Sequence, residues 1–79
     1  MKKLIVELME KEALKKSESY ALCSEGIEAF LEALVLLCNK LDVDIPLWTY
    51  REEKILQRKN EVRIPVNGDE SLQLRIMTK

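Results

Sequence analysis

Histidine is missing from all 79 residues, and its absence removes more chemistry than any other feature of the chain. Without imidazole, serine–histidine and cysteine–histidine nucleophile systems cannot be assembled. No remaining side chain ordinarily titrates between about pH 5 and 8, so a charge switch in that range is not expected. Glycine is almost as scarce. Gly26 and Gly68 are the only two, too few and too far apart for a phosphate-cradling loop of the P-loop or dinucleotide type. The two cysteines, Cys23 and Cys38, have no imidazole to join them in a zinc site, and their spacing is no ligand pair. Both are expected to be reduced structural thiols, Cys38 serving as a small hydrophobe on a helix stripe. These absences argue against an enzyme, a cofactor and a bound metal.

Long apolar runs are absent too. Nothing approaches the 18 consecutive residues that a membrane-spanning helix needs. Met1-Lys2-Lys3 before Leu4-Ile5-Val6 has the outline of a secretory leader, but Glu7 and Glu10 interrupt the apolar stretch too early. A cytoplasmic protein without membrane contact is the expectation. Charge of one sign is also lacking, since the net charge is −1. It is unevenly divided, with −3 over residues 1–48 and +2 over residues 49–79.

What is present reads as one small α+β domain over residues 1–79: about three helices, at 3–16, 24–41 and 49–59, then an antiparallel hairpin of strands 61–66 and 70–77. For the first helix, Leu4, Ile5, Leu8 and Met9 recur at helical spacing, early glutamates and late lysines suiting the helix dipole. The β-branched pair Ile5-Val6 leaves a strand open at its start. Residues 17–23 form a connector, either a short extended piece or a last helical turn.

The second helix has the strongest pattern. Ser24 can cap it, with Glu25 and Glu28 in the first turn. Ile27, Phe30, Leu31, Leu34, Val35, Leu37, Cys38 and Leu41 follow helical periodicity. Ala33 to Cys38 is apolar on nearly every side, so this half should be surrounded. Ile27, Phe30, Leu34, Leu37 and Leu41 also keep a seven-residue repeat, which allows either an ordinary core helix or a seam between subunits.

Residues 42–48 read as an extended linker, with Pro46 disfavouring helix at Ile45. Asp42 and Asp44 lack the glycine and glutamate that a calcium loop requires. The alternating Val43, Ile45 and Leu47 leave open a short strand, and Trp48 should be a partly buried anchor.

Thr49 and Glu52 form a capping box that opens the third helix. Arg51, Lys54 and Arg58 fall within about 60° of one another around it, at 100° per residue. No acidic residue three or four places away within that helix pairs them, so this stripe is either a solvated face or the best candidate for a binding surface.

In the hairpin, Val62, Ile64 and Val66 face Leu72, Leu74 and Ile76 around Asn67-Gly68-Asp69. Pairing Val62 with Leu74, Ile64 with Leu72 and Glu61 with Arg75 keeps the apolar face together. It also avoids setting Arg63 against Arg75. Pro65 cannot donate to a ladder and places its strand at a sheet edge or its own position outward.

A lone hairpin is marginal in water, and 79 residues offer little core. Two hairpins joined edge to edge across a two-fold axis would make a four-stranded sheet from two chains. The chain therefore reads as a non-enzymatic, self-associating interaction or regulatory protein, a homodimer or one bound to another protein. The alternative is DNA binding by a winged helix-turn-helix order of elements. Arg51, Lys54 and Arg58 would then enter the major groove, and Arg63 and Arg75 would touch phosphate. The long link before Trp48 and the net charge of −1 count against it.

Overall fold

The computed structural model describes residues 2–22, 24 and 26–78. Among these residues six elements follow one another: β1 (Lys2–Glu10), β2 (Ala13–Leu22), α1 (Ile27–Leu41), α2 (Tyr50–Lys59), β3 (Glu61–Asn67) and β4 (Glu70–Thr78). The strands make one antiparallel sheet in the order β2-β1-β4-β3. Both helices pack on the same face, α1 over β1 and β2, α2 over β3 and β4.

The expected first helix over 3–16 is not there. That segment is a hairpin, and strands stand at both ends of the chain rather than only after the helices. Leu4, Val6 and Leu8 alternate into the core, while Ile5, Glu7 and Met9 point to the other side. A run of Leu, Ile, Val and Leu satisfies both periods when read alone, and pairing with β4 decides between them: Leu4 lies opposite Ile76, Val6 opposite Leu74 and Leu8 opposite Leu72. β2 has no apolar alternation of its own and is exposed along most of its length; its ladder with β1 holds it. The extended option at residues 17–22 is therefore the one realised, within β2, whereas Cys23 lies outside the described residues. Residues 43–47 form no strand.

The four-stranded sheet expected from two chains is built within one, because the N-terminal hairpin supplies the missing pair of strands. The C-terminal hairpin has the anticipated register, with Glu61 opposite Arg75, Val62 opposite Leu74 and Ile64 opposite Leu72. Pro65 sits in the edge strand β3, beside a register shift between Pro65 and Asn67. The winged helix-turn-helix order is likewise excluded, since it required a helix where β1 and β2 stand.

α1 starts at Ile27, later than expected, with Gly26 before it at φ 116° and no side-chain cap; Ser24 does not cap it. Glu25 lies outside the described residues. At its other end Asp42 takes the left-handed conformation, and Val43 N–H donates to the Cys38 carbonyl at 3.1 Å. Of the seven-residue repeat, Ile27 at the start of α1 is exposed, while Phe30, Leu34, Leu37 and Leu41 are buried inside the chain and form a core stripe. With Leu4, Val6, Leu56, Leu72 and Leu74 they form a single cluster, and no polar or charged side chain is buried among the described residues.

Candidate interaction surface

α2 is positioned from both ends. The Thr49 N–H donates to Glu52 Oε1 at 3.0 Å and the Glu52 N–H points to the Thr49 side-chain oxygen, the two arms of a capping box; the Thr49 hydroxyl also donates to the Glu52 carboxylate. The hydroxyl's hydrogen bond is the main reason that the Glu52 carboxyl titrates below its ordinary value. Just before it, the Trp48 ring lies 4.8 Å from that of Phe30, and Trp48 Nε1–H donates to Glu53 Oε1 at 3.0 Å. Trp48 is thus the half-buried anchor its composition suggested. After α2, Asn60 turns left-handed and its carbonyl accepts from Ile76 N–H at 2.9 Å, which ties the helix exit to β4.

With Leu56 inward, Arg51, Lys54 and Arg58 all face solvent, and among the described residues none has an ion-pair partner. The Lys54 ammonium lies 5.2 Å from the centre of the exposed Tyr50 ring.

Arg63 and Arg75 are not part of this stripe. Strand alternation sends them to the far side of the sheet, away from both helices. There Arg75 Nη2–H donates to Glu7 Oε1 at 2.8 Å, and Arg63 Nη2–H donates to Gln73 Oε1 at 3.0 Å with Glu12 at 3.8 Å. These two guanidiniums knit a solvated sheet face together. The five basic residues that the sequence grouped are divided between opposite faces of the molecule.

The surroundings of the stripe are more apolar than the sequence pattern suggested. Val35 and Leu36 are exposed on α1, although the all-round apolar run Ala33 to Cys38 had promised enclosure. Leu31, Glu32, Val35 and Leu36 line an open depression there. The linker adds Ile45 and Leu47, the latter 80% exposed, and α2 adds Tyr50 at 74%. The signal was available: more apolar residues circle α1 than one sheet can cover. Along its outer line α1 exposes Glu28 and Glu32, flanked by Val35 and by Leu36, the latter also bordering Tyr20 and Leu22 of β2, so the helix layer carries an acidic line on α1 and a basic line on α2 with exposed apolar residues beside them.

Other concavities offer less chemistry. A groove at the strand ends is lined by Phe30, Leu56, Ile76, Glu53, Gln57 and Asn60, but Glu53 is already engaged by Trp48 and by Gln57 Nε2 at 3.0 Å. No cluster of potential metal ligands exists among the described residues. Cys38 is a free, buried thiol whose pKa burial pushes up, the opposite of an activated nucleophile. Among the described residues, no helix is long and apolar enough to cross a membrane. Comparison of the chain with protein families, with characterised proteins and with solved structures found no match.

Proposed function

We propose that the protein is a small cytoplasmic, non-catalytic module that works by associating with a second copy of itself through its helix layer. One observation carries this reading: Val35, Leu36, Ile45, Leu47 and Tyr50 are exposed on α1, the linker and the start of α2, while the core beneath them is complete. Large apolar side chains gathered on one face of so small a domain mark a contact surface. A second copy suits this face because it carries both signs of charge, acidic on α1 and basic on α2, and so complements itself.

Light scattering coupled to size-exclusion chromatography over a concentration series tests the reading. The mass should rise towards that of two chains as concentration increases, and a monomer at every concentration would overturn it.

The unpaired stripe Arg51, Lys54 and Arg58 supports a second reading, contact of α2 with nucleic-acid phosphates. A gel shift with random duplex at low salt tests it. Retardation that weakens steeply with salt and disappears on charge reversal of the stripe would favour it over self-association.

A further inference from the structure

We infer that the two copies meet across a two-fold axis lying along the valley between the helices, so that α1 of each copy covers α2 of the other. This inference rests on the self-association reading and specifies its geometry.

The path of the chain supplies the argument. β2 ends at Leu22 opposite Lys2, and α1 leaves from that end of the sheet. α2 returns to the same end, because Asn60 bonds to Ile76, which lies opposite Leu4 in β1. The helices therefore run in opposite directions. Trp48 stacks on Phe30, and Glu53, Leu56 and Gln57 share a groove with Gly26, Ile27 and Phe30. α2 is thus level with the N-terminal half of α1, and it is this half that turns Glu28 and Glu32 outward.

An axis in the contact plane, parallel to the helices, keeps each residue's height and exchanges left for right. It brings Glu28 and Glu32 of one copy over Arg51, Lys54 and Arg58 of the other, and does so twice. The exposed Leu47 and Tyr50, at the entry to α2, are then covered by the other copy. Other two-fold arrangements do worse. Pairing α1 with α1 opposes two acidic lines, and pairing α2 with α2 opposes two basic ones. Edge pairing through β3 meets Pro65 and a register shift. Along β2, Lys15, Lys16 and a bulge blunt the edge.

The decisive experiment uses two full-length variants. Glu28→Lys with Glu32→Lys makes both lines basic, and Lys54→Glu with Arg58→Glu makes the α2 line acidic to match α1. Each variant alone should dissociate at least about tenfold more readily than the parent, and mixing them should restore a one-to-one dimer. The substituted residues are exposed, so the far-ultraviolet dichroism of both variants should match the parent. Leu47→Ser supplies a variant without a charge change and should also weaken the dimer.

The outcomes are separable. A parent protein that stays monomeric overturns both the reading and the geometry. A parent dimer indifferent to both reversals, with no preference for the mixed pair, overturns the geometry alone. Duplex binding by a monomeric parent, abolished by Lys54→Glu with Arg58→Glu, would assign the basic line to phosphate and overturn the geometry as well.

Discussion

Leu36 and Leu37 are neighbours with opposite duties. Leu37 is fully buried on the sheet side of α1, so Leu37→Ala should cost about 2–5 kcal/mol of stability in a denaturant titration. Leu36 is exposed, and Leu36→Ala should change stability by no more than about 0.5 kcal/mol. Thr49→Ala removes the cap of α2 and should cost about 1 kcal/mol. Its partner Glu52 has a folded-state pKa below the ordinary carboxylate value. The stability it adds is therefore complete above the unfolded pKa and is lost as pH falls through the folded one. Thermal melts of the parent and of Glu52→Gln should differ at neutral pH and converge in acid; a constant gap would refute the assignment. These roles were partly legible. The capping box reads directly from residues three apart, but which of two adjacent leucines faces the sheet depends on how the helix is rotated.

At the scale of elements, α2 and most of the C-terminal hairpin were readable because local chemistry defines them: a cap and two alternating strands, although Asn67 pairs with Glu70 and leaves the turn to Gly68 and Asp69 alone. The N-terminal hairpin was not. Its turn runs through Lys11 at φ 57°, a left-handed position held by a lysine rather than by the glycine or asparagine that would announce it. The Lys11 N–H is tied to the Asp69 carbonyl at 2.9 Å, so the neighbouring turn of β3 and β4 holds this conformation in place. Lys11→Gly should relieve backbone strain and raise stability by roughly 0.5–1 kcal/mol, measured by chemical denaturation. A loss of stability would show that the lysine side chain contributes more than its backbone costs. The Lys15 ammonium, hydrogen-bonded to Glu70 at 2.9 Å, joins the outer strand β2 to β4 across β1. Mainly through that hydrogen bond its pKa lies above the ordinary lysine value. This contribution is present at neutral pH and lost only as pH rises through the raised pKa.

For the whole molecule, the arrangement leaves each layer with one covered face. The sheet's open side is laced by Glu7–Arg75 and Arg63–Gln73 and suits water. The helix layer's open side carries exposed apolar residues beside an acidic line on α1 and a basic line on α2, and it is there that a second copy is proposed to bind. If the contact is partly ionic, its dissociation constant should increase with salt while monomer stability changes little; sedimentation velocity at low and high ionic strength measures the first and denaturant titration of dilute protein the second.

The residues alone determined what this protein cannot do with imidazole or glycine-rich chemistry, where α2 begins, and how β3 pairs with β4. Each of these depends on groups close together in the chain. Tertiary structure decided that residues 2–22 form strands, that Arg63 and Arg75 part company with Arg51, Lys54 and Arg58, and that Val35 and Leu36 stay uncovered. Those outcomes turn on contacts between segments far apart in sequence, where one sheet can enclose only one side of a helix.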